Sequence, residues 1–355
     1  MIARRLMLVV LSLMLLLGLA FLPACGSSET TATEEPVAPA EQTEPEEAEA
    51  SSIDEAALLI EVTNDYLSSE FSQNWVVNAA DVHDLVFVQG DDTFQLIDVR
   101  DPNHYAAGHI EGSINIPYKD IVDEDQLAKL DSSKTLLVVD YDGSKSTGVV
   151  CVYSQLGYDA MFLRFGISGW TTDPDVYVID GGQVWDGAGL DLPISTEGFT
   201  AEPKFDLPEL DTGAADVREV VINATKAFLA RGGNTNLVTA EELNQKIQAG
   251  ENLTIISAVA PEHYELGHPE GALNIGRAKI ATEETLQKLD PDSTIVFTCY
   301  QGHNSGFMQM FLGQLGYDVV SQRFGMGAWT NDADVRGVPT YDPAKVPNLE
   351  TVSGN

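Results

Sequence analysis

An internal repeat constrains this 355-residue chain more than any other feature, because matching residues recur at a fixed offset of 159 positions. The segment 155–159 reads Gln-Leu-Gly-Tyr-Asp, and 314–318 reads the same. Further residues of the first copy that match the second are His104 with His263, His109 with His268, Arg164 with Arg323 and Trp170 with Trp329. A repeat this regular indicates two copies of one domain in tandem. A segment rich in Gly, Pro and acidic residues, from about 180 to 215, separates them.

The first copy alternates short apolar runs with amphipathic stretches that are typical of helices. Strands are predicted for the runs at 94–99, 113–116, 136–141 and 161–165. In the second copy, Thr239 followed by Glu242 predicts a capping box at the start of a helix. The alternation indicates an α/β fold in which each copy is a parallel sheet flanked by helices.

The first 25 residues differ from the rest of the chain. Arg4 and Arg5 precede an apolar run over 6–22, and the segment ends in Leu-Pro-Ala-Cys at Cys25. This order is typical of a secretory signal, and the small residues before the cysteine resemble the lipobox of bacterial lipoproteins. We therefore expect a lipoprotein signal peptide at 1–24, lipidation at Cys25 and an extracytoplasmic protein anchored to the cell membrane. A transmembrane anchor is the alternative for the same run.

The segment after Cys25 is rich in Ser, Thr, Pro, Ala and Glu and contains no basic residue as far as position 52. Such a composition cannot bury enough apolar surface to offset chain entropy. We predict a disordered acidic tether at 25–52, a first domain at 53–200 and a second domain at 201–355.

The charge balance excludes one class of partner. The chain has 19 Lys and Arg against 55 Asp and Glu, a formal charge of −36, which repels a phosphate backbone, so we expect no nucleic acid partner. The His and acidic residues show no metal-site spacing and no phosphate-binding Gly pattern occurs, so we predict no metal and no cofactor. The three cysteines, Cys25, Cys151 and Cys299, are too few for a disulfide framework.

In each copy an apolar strand ends at a glycine-containing turn that opens a helix. The turn within 136–146 begins with Asp140, and the turn within 295–305 begins with Cys299. Ligands of α/β folds bind at this edge of the sheet. Successive main-chain amides and a helix N-terminus attract negative charge there, so a cysteine in this place is expected to be nucleophilic.

These motifs resemble the rhodanese-like domain family. The segments 96–100 and 108–117 are similar to the two N-terminal signatures of the family, and the Cys-x-x-Gly-x-x-Ser turn at 299–305 is similar to its active-site loop. The resemblance implies that Cys299 carries a persulfide between a sulfur donor and an acceptor. It also implies that copy one is inactive, because the carboxylate of Asp140 cannot hold a transferable sulfur.

The resemblance implies Cys299 as the catalytic nucleophile and a cradle of main-chain amides for the sulfane sulfur and the departing anion. The cradle consists of Tyr300, Gln301, Gly302, His303, Asn304 and Ser305. The implied function is an extracytoplasmic sulfurtransferase or sulfane-sulfur carrier, with thiosulfate or a persulfide as donor and a thiol or cyanide as acceptor. Two alternatives are a non-catalytic module that binds a partner protein and a phosphatase, which would need a longer loop ending in Arg.

Copy two departs from the family pattern at two places. Asn304 stands where family loops commonly carry Arg or Lys, and 257–259 reads Ser-Ala-Val where 98–100 reads Asp-Val-Arg. We interpret both departures as a weakening of the positive field around the thiol. We expect His303 to compensate when it is protonated.

The remaining conspicuous side chains are predicted to have structural roles. Cys151 lies among valines and is predicted to be a core residue, and Lys145 is predicted to be a solvated surface residue. The late Trp of each copy is predicted to close its core, and the His of each Gly-His pair is predicted to make structural hydrogen bonds. These residues are Trp170, Trp329, His109 and His268.

Overall fold

The computed structural model describes residues 53–177, 185–233 and 237–354. The expected signal peptide, the lipidation site Cys25 and the acidic tether lie outside the described residues. Within those three ranges, no helix is both long enough and apolar enough to cross a membrane. The domain limits at 53–200 and 201–355 stay predictions.

Each copy contains one five-stranded sheet in which every pairing is parallel. The strand orders are β1-β5-β4-β2-β3 and β6-β10-β9-β7-β8. The strands are Val76–Val77 (β1), Phe94–Asp98 (β2), Ile114–Asn115 (β3), Thr135–Val139 (β4), Ala160–Leu163 (β5), Leu237–Val238 (β6), Leu253–Ser257 (β7), Leu273–Asn274 (β8), Thr294–Thr298 (β9) and Val319–Gln322 (β10). The predicted tandem α/β fold is confirmed, and each strand predicted in copy one exists within two residues of its predicted ends. The edge strand β1 was not predicted, because a two-residue strand is too short to create a period in the sequence.

The helices at 102–107, 124–127 and 144–155 of copy one recur in copy two at the offset of 159 positions. The helices are Glu55–Ser68 (α1), Glu70–Gln73 (α2), Ala79–Val82 (α3), Pro102–Ala107 (α4), Glu124–Leu127 (α5), Ser144–Gln155 (α6), Val217–Ala230 (α7), Ala240–Ala249 (α8), Pro261–Leu266 (α9), Glu283–Leu286 (α10), His303–Gln314 (α11), Gly325–Trp329 (α12) and Ala333–Arg336 (α13). A π-helical turn spans His83–Val88, and 3₁₀ turns span Tyr118–Asp120, Gly166–Gly169, Arg277–Lys279 and Pro343–Lys345. The predicted capping box is confirmed, because Thr239 and Glu242 hydrogen-bond each other's main-chain N–H groups.

The central strands are buried on both faces, which explains their continuous apolar sequence. In β4, Leu136 and Val138 belong to a core that is shared by both copies, and Leu137 and Val139 belong to a second cluster on the opposite face. The shared core also contains Cys151, which is fully buried. The predicted core position of Cys151 is therefore confirmed.

The two copies meet along α6 and α11, which are equivalent helices in the repeat. Gln155 and Gln314 exchange amide hydrogen bonds of 2.9 and 2.8 Å across this contact. The helices approach so closely that a Cβ on Gly306 would lie 2.0 Å from the carbonyl oxygen of Ser144. Only glycine fits at that position of α11, so the loops that precede α6 and α11 are held side by side.

Each copy is completed by a segment that follows the other copy in the chain. The indole of Trp329 donates to the carbonyl of Pro193, and the indole of Trp170 donates to the carbonyl of Glu350, both at 2.9 Å. Both Trp side chains are buried, in agreement with the prediction that they close the cores. The segment between the copies thus packs on copy two, and the C-terminal segment packs on copy one.

The histidine of each Gly-His pair pairs with the segment that packs on its copy. His268 forms an isolated antiparallel bridge with Ser195, and His109 forms the equivalent bridge with Val352. The Nδ1 atoms of both His rings bond main-chain carbonyls at 2.7 and 2.9 Å. The predicted structural role of these histidines is confirmed.

Candidate active site

Cys299 lies directly after β9, in the turn that leads into α11. Gly302 closes this turn in the left-handed conformation, with φ of 94°, and its N–H donates to the Cys299 Sγ at 3.1 Å. The carbonyl of Cys299 accepts the N–H of Met326 at 2.7 Å. A Cβ on Gly325 would lie 1.9 Å from that carbonyl oxygen, so the close approach requires glycine. The thiol is thereby held beneath the N-terminus of a twelve-residue helix.

The equivalent turn of copy one displays what this backbone conformation binds. The Asp140 carboxylate accepts the N–H groups of Gly143 at 2.6 Å, Lys145 at 2.7 Å and Ser146 at 3.1 Å, and the Ser146 hydroxyl at 3.1 Å. Burial and the nearby charge of Asp142 raise the pKa of Asp140 to about 6, although the amides act in the opposite direction. The turn of copy one is therefore an anion cradle that is occupied by its own side chain.

The turn of copy two has the same backbone and a different occupant. Gly302 has the same φ of 94° as Gly143, and the amides of Asn304 and Ser305 correspond by the offset to the donors of copy one. The Ser305 hydroxyl is buried and has no hydrogen-bond partner within the described part of the chain. A sulfur atom added to Cys299 would bring a negatively charged acceptor toward these donors.

The thiol opens on a small cleft that both copies line. The cleft has a volume of about 130 Å³, and besides Cys299 and its loop it is lined by Trp75, Phe162 and Arg164 of copy one. Such a volume holds a few ordered waters or one small anion. Arg164 was not singled out from the sequence, because the repeat identifies it as a recurring residue without indicating which loop it faces.

His303 does not supply a positive charge to this cleft. Its ring packs beside those of Phe162 and Phe165, with centroids 5.1 and 5.4 Å away, and its Nε2–H donates to the Asp142 carbonyl at 3.1 Å. Desolvation by burial lowers the pKa of His303 to about 4. The ring is neutral at pH 7, so the expectation that a protonated His303 compensates for the missing cation is wrong.

The side chains of the other loop residues make structural contacts. Asn304 donates to the carbonyl of Ala258 at 3.2 Å, and the Gln301 amide donates to the carbonyl of Pro339. Through their main chain, these residues remain available as parts of the cradle predicted from the sequence.

The Tyr300 hydroxyl accepts the N–H of Ala260 and contacts the His263 Nδ1, both at 2.8 Å. Copy one repeats the tyrosine-histidine contact at 2.6 Å between Tyr141 and His104. Because the contact occurs in both turns, it supports their shape rather than a reaction.

The Asp-x-Arg element of copy one is a closed ion pair. Arg100 is fully buried and bonds Asp98 at 2.7 Å, together with the carbonyls of Gly108 and Val176. Its replacement in copy two therefore removes a neutral buried pair, and the interpretation that this change weakens the field at the thiol is wrong.

Lys145 of copy one is partly buried rather than solvated. Its ammonium lies 5.9 and 5.7 Å from the ring centroids of Tyr118 and Tyr141. The prediction of a solvated surface lysine is corrected accordingly.

In the described residues, no group of three or more His, Cys, Asp or Glu side chains could hold a metal ion.

Comparison with known proteins agrees with this geometry. The profile of the Rhodanese-like domain matches residues 79–173 and 239–332, which together are more than half of the chain. The thiosulfate sulfurtransferase GlpE of Pseudomonas paraeruginosa is 36% identical over 92 residues, which are 26% of this chain and 68% of that protein. A putative thiosulfate sulfurtransferase of Mycolicibacterium smegmatis is 26% identical over 300 residues, which are 76% of this chain and 95% of that protein.

Among solved structures, a thiosulfate sulfurtransferase from Pseudomonas aeruginosa matches 82% of this chain and 50% of its own chain, at 15% identity and a TM-score of 0.28. Each profile match covers four strands of one sheet, β2 to β5 or β7 to β10, and these include the strands that carry both loops; the edge strands β1 and β6 lie just before the matched ranges. The chain therefore belongs to the rhodanese-like family, as a tandem protein of the sulfurtransferase type.

Proposed function

We propose that Cys299 accepts a sulfane sulfur as a persulfide and passes it to a thiol or to cyanide, with thiosulfate or a small persulfide as donor. The observation that carries this proposal is the Asp140 carboxylate of copy one, which occupies the same turn with four hydrogen-bond donors around it. The turn of copy two offers equivalent amides to a persulfide or to a departing anion.

The reaction balances without a further reactant. The Cys299 thiolate attacks the outer sulfur of thiosulfate, a new S–S bond forms, and the S–S bond of thiosulfate breaks with its electron pair leaving on sulfite. A second nucleophile then attacks the outer sulfur of the persulfide and returns the thiolate. The turn of copy one carries no sulfur in this exchange, because Asp140 has no sulfur and fills its own cradle.

We further propose that the protein acts outside the cytoplasmic membrane, where a lipid on Cys25 holds it at the cell membrane. This part of the proposal is supported by the sequence alone, through the signal segment and the Leu-Pro-Ala-Cys motif.

A second candidate function is a non-catalytic module that binds a partner protein. It is favoured by the burial of the Cys299 side chain, of which 1% is exposed. A thiol so covered reacts only if the cleft admits its substrate.

Intact-mass analysis of the full chain distinguishes the two candidates. The protein is exposed to thiosulfate, to a thiol persulfide and to polysulfide, and Cys299→Ser and Cys151→Ser variants serve as controls. Gain of one sulfur atom that is lost in Cys299→Ser and kept in Cys151→Ser supports the sulfurtransferase. No gain with any donor in the folded protein rejects it in favour of the binding module.

A further inference from the structure

Arg164 of copy one lines the same cleft as the thiol of copy two. It directly follows β5, and its main-chain N–H donates to the carbonyl of Val77 at 2.8 Å. Its side chain lines the cleft together with Cys299, and its charge contributes to lowering the pKa of His303. The guanidinium Nε of Arg164, like that of Arg323, is buried without a hydrogen-bond partner in the described residues.

The repeat supplies an internal comparison for this arginine. Arg323, its equivalent in copy two, faces the loop of copy one and lies 4.0 Å from the Asp142 carboxylate. By the offset, the residue that corresponds to Asp142 beside Arg164 is Gln301, which is neutral. The charge of Arg323 is therefore compensated at the inactive loop, and the charge of Arg164 is not compensated at the loop that carries the thiol.

Two further observations agree with the difference in charge compensation between Arg164 and Arg323. The Gln301 Oε1 is also buried and without a partner among the residues that the structure describes. Asp342 lines a second cavity beside Arg164, but its carboxylate is bonded to Lys345 at 3.1 Å. Across the described ranges, no carboxylate oxygen comes within 4.0 Å of Arg164.

We propose that Arg164 is the anion-binding residue of the Cys299 cleft, so that the inactive copy completes the site and favours doubly charged sulfur donors over neutral ones. The inference rests on the proposed function for the chemistry of its anion, a dianion of the thiosulfate type. It assigns the missing cation of the loop to the other copy, because Asn304 carries no charge and His303 is neutral.

The favoured class of donor follows from the field in the cleft. The chain as a whole carries a formal charge of −36 and repels anions. A guanidinium that lines the same cleft as the thiol opposes this repulsion locally. Its attraction for a dianion is twice that for a monoanion at the same distance. A neutral reagent gains nothing from it.

Paired alkylation rates of Cys299 in the full chain test this inference without relying on sulfur transfer. The Cys299 thiolate attacks the CH2 carbon of iodoacetate or of iodoacetamide and displaces iodide, and the two reagents differ in one negative charge. In Arg164→Gln we expect the ratio of the iodoacetate rate to the iodoacetamide rate to fall about tenfold at low salt and less at high salt. Arg164→Lys keeps the charge and should retain most of the ratio. Lys226→Gln, which removes an exposed lysine that does not line the cleft, should leave the ratio unchanged.

Gln301→Asp provides a second variant that keeps Arg164 in place. It gives Arg164 the carboxylate that Arg323 already has, and it should lower the ratio as Arg164→Gln does. This variant decides the matter if Arg164→Gln fails to fold. An unchanged ratio in a folded Arg164→Gln or Gln301→Asp protein overturns the inference.

Thiosulfate loading, measured by intact mass on the same proteins, separates the two proposals. A loading rate of the wild type that falls about a hundredfold in Arg164→Gln, because the attraction is twice that of a monoanion, supports both proposals. A lowered alkylation ratio without any loading of the wild type supports the cation and rejects the proposed sulfur transfer. Normal loading with an unchanged ratio supports sulfur transfer and rejects the role of Arg164.

Discussion

Deleting the residues after Val346 should destabilise copy one, although this segment follows copy two in the chain. Residues 348–354 make seven hydrogen bonds to copy one, including the Trp170 indole to the Glu350 carbonyl and the paired main-chain bonds between His109 and Val352. At about 0.5 to 1.5 kcal/mol each, such bonds contribute roughly 4 to 10 kcal/mol. The lower end applies here, because the two bonds to Asn348 are exposed.

A loss of about 4 kcal/mol is a large part of the stability of one domain. Denaturant unfolding followed by tryptophan fluorescence measures it, because Trp170 is buried in the native protein and loses its covering segment in the truncated chain. Glu350→Ala is the matched control and should change little, since the contact uses the main-chain carbonyl. Equal unfolding midpoints for the truncated and intact chains would refute the reasoning.

Three further predictions concern single residues. The pKa of His303 is lowered to about 4 in the folded protein, so the unfolded chain binds a proton at this residue first, and the free energy of unfolding should fall as the pH drops from 6.5 toward 4. His303→Gln should flatten this fall when urea unfolding is measured at several pH values. An equal slope in both proteins would contradict the prediction. Asn304→Arg adds a cation to the loop and should raise the initial rate of thiosulfate loading several-fold at low salt, with a smaller gain at high salt. An unchanged rate in the folded variant would mean that the amides and Arg164 already determine the electrostatic field at the thiol. Cys25→Ser should release the protein or leave its signal uncleaved in cell fractionation, and membrane retention with normal processing would exclude lipidation at that residue.

The fold was accessible from the sequence because its determinants are local or periodic. Apolar runs predict strands, the capping box predicts a helix start, and the offset of 159 positions transfers each prediction from one copy to the other. The place of Cys299 at the end of a central strand follows in the same way, since the residues that form the turn are adjacent to it in the chain. The difference between Asp140 and Cys299 is likewise readable from the two aligned loops.

What the sequence did not disclose depends on contacts between residues far apart in the chain. The repeat predicts that Arg164 and Arg323 are equivalent, but only the packing of α6 on α11 determines that each one faces the loop of the other copy. The same packing buries His303 and lowers its pKa, which residue type alone does not predict. The packing of the segment between the copies on copy two, and of the C-terminal segment on copy one, is hidden for a related reason. The hydrogen bonds from the two Trp side chains use main-chain carbonyls, and a main-chain carbonyl has no signature in the sequence.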